Sequence, residues 1–291
     1  MRIAIFGAGA IGSLIAARLA LAGNHVVVFA RGAHADAMAT GGLILRDAQG
    51  ERRAKVWLAR TAAEAGPVSA IIVTTKGHHH CDAVQAIAPL LTGDQPVVFA
   101  VNGIPWWYGI NVRLPGIDPS QDPARRTMDP GGEIGRTVGY RAVGAVIGSP
   151  NTIEAPGIVV NRTERNALVL GAVDSTFAPM LAPLAAALRD SGIDPGTGAP
   201  IREEIMAQAH VHHVHGADRL SYRTAQWRDP HRSQSHRHSG PAVRRRRGAG
   251  PCARLRQGSS SRPRDRSLAT SNPWRRTSSV VTRWSTSRSS D

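Results

Sequence analysis

Between Met1 and Ala30 the chain commits to one supersecondary unit. Arg2-Ile-Ala-Ile-Phe6 is a short β-rich run, and Gly7-Ala8-Gly9-Ala10-Ile11-Gly12 follows it at once. Ile11–Ala22 is an apolar, Ala/Leu-rich helical stretch stopped by Gly23-Asn24, and His25–Ala30 reads as a second strand. A strand, a helix and a strand in about 30 residues are the span of a βαβ unit. The G-x-G-x-x-G spacing gives each glycine its own task. Gly7 permits the tight turn, Gly9 lets a diphosphate approach the backbone, and Gly12 lets helix and strand pack closely. Ala8, Ala10 and Ile11 complete the loop, and an anion on it would meet free N–H groups and the positive end of the helix dipole. A turn of purely structural meaning is the competing reading. The position at the head of a βαβ unit favours a nucleotide.

The following segments extend the pattern. Ala70–Thr74, Val97–Val101 and Ala142–Ile147 are further apolar runs, with helical patterns such as Cys81–Leu91 between some of them. Continuous apolar strands alternating with helices predict an α/β fold, a parallel Rossmann-like sheet covered by helices on both faces. Gly157–Asn161 and Ala167–Leu170 look like a pair of strands, and Ser175–Ser191 like an amphipathic helix ended by Gly192.

In open parallel sheets the ligand crevice lies at the carboxyl ends of the strands. The second strand ends Phe29-Ala30-Arg31-Gly32, with Arg31 where an acidic residue would hold a ribose 2′-hydroxyl. An arginine there can meet a 2′-phosphate through charge-assisted hydrogen bonds, so NADP(H) is favoured, a solvated surface arginine being the plainer alternative. Val73-Thr74-Thr75-Lys76 and Val101-Asn102-Gly103-Ile104-Pro105 end two further strands, which makes Lys76 and Asn102 candidates for the same crevice. Taken singly, either is more often a simple loop residue.

Charge divides the chain. Its 291 residues carry 36 Lys+Arg and 21 Asp+Glu, a net +15 that would ordinarily suggest a polyanionic partner. Residues 1–205 hold 18 basic and 17 acidic side chains, whereas 206–291 hold 18 basic and 4 acidic. The latter stretch has 18 arginines, no lysine, 15 serines and clustered histidines (His210, His212, His213, His215, His231, His236, His238), and disorder is expected of it. Cys81 and Cys252 are too few for a disulfide framework, no apolar window of 18 residues exists, and glycines interrupt the signal-like opening. A cytoplasmic protein without a membrane span is the expectation.

Together, GAGAIG from Gly7, the arginine after the second strand, VTTK ending at Lys76 and NGIPWWY from Asn102 resemble the ketopantoate reductase family. Asp129-Pro-Gly-Gly132, Ala155-Pro-Gly157 and Ile201-Arg-Glu-Glu-Ile205 also look like the family, in order across residues 1–205. The resemblance implies a Rossmann-like domain followed by a helical domain, with NADPH reducing 2-dehydropantoate, a 2-oxoacid, in the cleft between them. It assigns Gly7–Gly12 and Arg31 to the cofactor. It places Lys76 and Asn102 on the nicotinamide and substrate side, and a general-acid lysine in a Trp-x-Lys pattern just after the I-R-x-E segment. Here the chain departs from the family: Met206-Ala207-Gln208-Ala209 offers neither Trp nor Lys.

The genetic code supplies a reason. The codons ATG, GCN and CAR, read one base later, give TGG, then CNC, then AAG or AGG. The first is Trp and the third is Lys or Arg. A one-base insertion near codon 206 thus explains both the lost motif and the Arg/Ser/His-rich sequence beyond it. Restoration is not complete, because the family's Asn four residues after the lysine becomes Ile or Thr. On this reading, residues 1–172 are the NADP-binding domain, 173–205 begin the helical substrate domain and 206–291 are out of frame. The competing readings of 206–291 are a basic arm for nucleic acid through Arg244–Arg247 and its other arginines, and a histidine metal site. Substrate identity rests on the resemblance, and an alternative is a reductase of another 2-oxoacid.

Overall fold

A computed structural model describes residues 1–110, 123–196 and 200–209. In chain order the elements begin β1 (Arg2–Phe6), α1 (Ala10–Leu21), β2 (His25–Phe29), α2 (Gly32–Gly41), β3 (Leu43–Asp47), β4 (Gly50–Ala54) and β5 (Trp57–Ala59). They continue with α3 (Ala62–Ala65), β6 (Ala70–Val73), α4 (His80–Ile87), β7 (Val97–Ala100), α5 (Pro123–Met128) and α6 (Glu133–Val138). The last are β8 (Ala142–Ile147), β9 (Asn151–Ala155), β10 (Ile158–Asn161), β11 (Leu168–Ala172) and α7 (Ala182–Asp190), followed by a helix over 201–209.

The larger sheet runs β11-β8-β7-β6-β1-β2-β5, parallel throughout except for β11, which is antiparallel to β8. This is the Rossmann-like α/β sheet expected, and β6 and β7 are buried along their whole lengths, as continuous apolar runs require. One face differs from expectation. A second sheet, β4-β3-β10-β9, covers it, with α1 packed between the two. The strands at Gly157–Asn161 and Ala167–Leu170 therefore do not pair with each other. β10 joins β3 and β9 in the small sheet, while β11 joins β8 in the large one.

The sequence of α1 explains its place. Gly12 to Ala17 and Leu19 are buried, on more than one side of the helix, which suits a helix held between two layers rather than one facing water. Burial of Leu14, Ile15 and Leu19 contributes roughly 1.5–3 kcal/mol each. Where α1 turns polar, Arg18 reaches the Asp47 carboxylate and the Asn161 amide oxygen, both at 3.2 Å. Arg52 approaches the same carboxylate at 2.5 Å, so the Asp47 side chain, 3% exposed, is covered but paired.

On the opposite face Phe99, Trp106, Trp107, Ile134 and Val138 form a second core, which Ile201 and Ile205 join. The expected helix over Ser175–Ser191 is in two parts, a 3-10 segment Ser175–Leu181 carrying Pro179 and then α7. Gly192, at φ +75, lies just past its end.

Within the second core lies an acid-sensitive side chain. His80 is 0% exposed, 5.2 Å from the Phe99 ring, and neither of its ring nitrogens has a hydrogen-bond partner among the described residues. Burial pushes its pKa down to about 4; the Thr75 backbone opposes this, and His78 and His79 add to it. Because the folded value lies below the unfolded ~6.5, acid protonates the unfolded chain first. The neutral ring is accommodated fully above pH ~6.5, and stability is lost as pH falls toward ~4, by roughly 3 kcal/mol over that window. The melting temperature should drop between those pH values, and His80→Phe should remove most of that slope. An unchanged acid slope in the variant counts against this assignment.

Candidate functional site

β1, β2, β5 and β6 run parallel, so Phe6, Phe29, Ala59 and Val73 all deliver chain to one edge of the sheet. A cleft of about 800 Å³ opens there. Its wall combines the glycine loop (Gly7, Ala8), the end of β2 (Arg31), α2 (His34, Asp36), the residue after β5 (Arg60) and the start of the α4 region (Thr75, His79, Asp82).

The three glycines of the loop stand in three different environments. Gly7 has φ +108, a conformation that side chains rarely adopt, and its carbonyl accepts the Thr74 hydroxyl at 2.5 Å. Gly12 is buried so closely that a Cβ on it would lie 1.9 Å from the Gly7 carbonyl oxygen and 2.5 Å from Thr74 Oγ1. Gly9, the residue before α1, has ordinary angles (φ −73, ψ −172), and a Cβ on it would meet no atom within 4 Å. The space over Gly9 is thus open, at the N-terminus of a helix whose interior is buried. A nucleotide diphosphate fits there on chemistry and on room.

Arg31 is exposed at the cleft wall, immediately before α2. Arg60 enters the same wall from β5, which pairs with β2 in the register Phe29↔Ala59. Two cations therefore stand at adjacent strand ends, with Asp36 nearby in the wall. Lys76 and Asn102 do not line this cleft; both are exposed beyond the ends of the neighbouring strands β6 and β7. Gly9, Ala10, Ile11 and Gly12 also lie outside its lining, the last because it faces the Gly7 carbonyl instead.

The remaining segments singled out in the sequence hold structure together. Asp129 is 1% exposed, and its carboxylate accepts the backbone N–H groups of Ile134 and Gly135, each at 3.0 Å, at the start of α6. Arg202 donates to the carbonyls of Tyr108 at 3.0 Å and Ile110 at 2.6 Å, tying the Ile201–Ile205 segment to the chain after Trp107. Met206 is exposed, and Gln208 donates its side-chain amide to the Ile147 carbonyl, at the end of β8, at 2.8 Å. Position 208 thus stands at the carboxyl edge of the sheet, beside the strand that leads to Asn102.

Sequence reasoning missed Ser13, His34 and Arg60. The first two hydrogen-bond each other across 21 residues of chain, and Arg60 follows the three-residue strand β5. None carries a local pattern. Among the described residues no group of three or more His, Cys, Asp or Glu side chains could hold a metal, and no helix is long and apolar enough to cross a membrane. The histidines from His210 onward and Arg244–Arg247 lie outside the described residues.

Residues 3–106 match the family described as Ketopantoate reductase PanE/ApbA. A 2-dehydropantoate 2-reductase from Mesorhizobium japonicum is 34% identical over 213 residues, covering 72% of this chain and 63% of that protein. A crystal structure from Ralstonia solanacearum MolK2, assigned as a ketopantoate reductase, is 33% identical with a TM-score of 0.58, covering 66% of this chain and 59% of that one. The crystal structure of 2-dehydropantoate 2-reductase from Porphyromonas gingivalis W83, 22% identical with a TM-score of 0.53 over 71% of this chain and 67% of that one, shares the fold. The chain therefore spans about three fifths of the length of the first two proteins it matches.

Proposed function

The chain belongs to the ketopantoate reductase family, and from that premise we propose that it is the cofactor-binding part of an NADPH-dependent reductase that converts 2-dehydropantoate, or a closely related 2-oxoacid, to the 2-hydroxyacid. The observation that carries this reading is the open space over Gly9 at the head of α1, in a loop whose cleft Arg31 also lines.

In this proposal Gly7–Gly12 hold the diphosphate on backbone N–H groups, and Arg31 pairs with the ribose 2′-phosphate. Arg60 adds positive charge at the same end of the cleft. When bound, NADPH supplies a hydride to a ketone carbon. Lys76 and Asn102, past the next two strands, are assigned to the nicotinamide and substrate side. A positioned ammonium would both donate a proton to the developing alkoxide and stabilise its charge. Gln208 occupies the position of that lysine, and its carboxamide has no proton to transfer at neutral pH and no charge to set against the alkoxide.

We assign residues 1–172 to the NADP-binding domain, 173–205 to the start of a substrate domain, and 206–291 to translation out of frame. The protein is cytoplasmic, its partner a small 2-oxoacid. A second reading, a nucleotide-binding module with a basic arm, rests on the 18 arginines of 206–291. Steeply salt-dependent, submicromolar binding of nucleic acid by that stretch would favour it.

Fluorescence titration with both nicotinamide cofactors tests the cofactor assignment. Arg31→Ala should weaken NADPH binding by about 10- to 100-fold, the worth of a charge-assisted contact, and leave NADH within about threefold. Equal weakening of both cofactors, or a wild-type preference for NADH, overturns it.

A further inference from the structure

His34 stands at the centre of a hydrogen-bonded relay that reaches the glycine loop. Its Nδ1 accepts the Gly157 backbone N–H at 2.9 Å, its Nε2 lies 3.0 Å from Ser13 Oγ, and Ser13 Oγ lies 3.2 Å from the Ala8 carbonyl oxygen. The direction of each bond follows from the first. An amide N–H can only donate, so Nδ1 carries no proton and a neutral ring carries its proton on Nε2. Nε2–H then donates to Ser13, and the Ser13 hydroxyl is left to donate to Ala8. The Gly157 carbonyl in turn accepts from Ile44 N–H of β3 at 2.8 Å, so the relay is anchored in the small sheet.

The effect falls on Gly9. Ala8 C=O and Gly9 N–H belong to one planar trans peptide and point in opposite directions. With the Ala8 oxygen turned toward Ser13, which is 0% exposed, the Gly9 N–H is turned away from the protein interior, on the residue beside which the structure is open. We propose that His34, acting through Ser13, is a positioning residue that presents the Gly9 N–H to the diphosphate of a dinucleotide, and that protonation of His34 releases this arrangement. The proposal rests on the nucleotide-binding reading above.

Protonation must place a second hydrogen on Nδ1, where it faces the Gly157 N–H donor, so the relay breaks at its anchor. Burial holds the His34 pKa below its ordinary value. From α1 and the β9–β10 turn, the ring is faced by uncharged Ser13 and Gly157; the charged and titratable groups of the cleft wall are Arg31, Asp36, Arg60, His79 and Asp82. None of these contributes to the shift, which burial alone produces. The sign is therefore fixed: the relay is complete at neutral pH and above, and fails as pH falls through the depressed pKa. A histidine that merely touched phosphate as a cation would give the opposite dependence.

The test uses the full chain and ADP-ribose, which carries the diphosphate without the 2′-phosphate, titrated calorimetrically between pH 5 and 8. Wild type should bind more weakly toward pH 5. His34→Leu and Ser13→Ala should each weaken binding at pH 7.5 by about tenfold, with unchanged circular dichroism. His34→Gln, whose amide can also accept from Gly157 and donate to Ser13, should stay within about threefold of wild type and lose the pH dependence. Tighter binding at pH 5, full binding by a folded His34→Leu, or the same pH dependence in His34→Gln overturns the relay while leaving the nucleotide reading intact. Failure of wild type to bind ADP-ribose at millimolar concentration overturns both.

Discussion

Removing one base near codon 206 is expected to raise turnover of 2-dehydropantoate at least 10²–10⁴-fold over the present chain, the usual contribution of one general acid. The neighbouring frame reads Trp, any of the CNC residues, then Lys or Arg, where Met206, Ala207 and Gln208 now stand. The backbone is already helical over 201–209 and is anchored by Arg202 on the Tyr108 and Ile110 carbonyls. Position 208 is therefore delivered to the carboxyl edge of the sheet by residues upstream of codon 206. What changes is the terminal group, from a neutral carboxamide on the Ile147 carbonyl to a cation, which for the AAG codon is an ammonium with a proton to give.

Gln208→Lys in the present chain separates the contribution of that group from the rest of the restored sequence. On the proposed reading it should recover only part of the rate, because the sequence after residue 208 is left unchanged. Stopped-flow loss of NADPH absorbance measures both changes. Equal turnover by the present and the frame-restored chains would remove the basis of the frame hypothesis. So would a gene whose frame is continuous with the arginine-rich stretch in independent isolates.

How much of this was legible in sequence follows the range of the interactions involved. β1, the glycine loop and α1 are contiguous, and the turn at Gly7 and the close packing at Gly12 were readable from their spacing. β8 was readable because Ala142–Ile147 is apolar from end to end. The second sheet was not. β3 and β4 carry Arg46, Arg52 and Arg53 on short strands, and β3 pairs with β10, more than a hundred residues later. The His34 relay escaped for the same reason, since its acceptor on Nδ1 is satisfied from Gly157, 123 residues away. Asp129-Pro-Gly-Gly132 was legible as a motif but not as a cap, because the carboxylate's partners, the N–H groups of Ile134 and Gly135, lie beyond the motif itself. Lys76 and Asn102 were placed at strand ends correctly, yet a strand end fixes the backbone and leaves the side chain free to miss the cleft.

Two single-methyl substitutions in the glycine loop are expected to fail in opposite ways. Gly12→Ala puts a Cβ 1.9 Å from the Gly7 carbonyl oxygen, more than 1 Å inside an ordinary contact, and 2.5 Å from Thr74 Oγ1. Neither neighbour can retreat cheaply. Gly7 is backbone in a positive-φ turn, and Thr74 is held by its N–H on the Phe6 carbonyl at 2.9 Å and its hydroxyl on Gly7. α1 cannot tilt away either, because the small sheet lies behind it. Overpacking of this kind should cost about 3 kcal/mol or more, a large part of a typical stability of 5–15 kcal/mol. Gly9→Ala meets no atom and needs no unusual backbone angle, so stability should stay within about 0.5 kcal/mol of wild type or rise slightly. The new methyl instead enters the space assigned to the diphosphate, and NADPH affinity should fall about tenfold or more. Chemical denaturation and NADPH titration of both variants read the two effects separately. A loop that is only a structural turn predicts no binding defect in Gly9→Ala; a nucleotide cradle predicts a folded protein that no longer holds its cofactor.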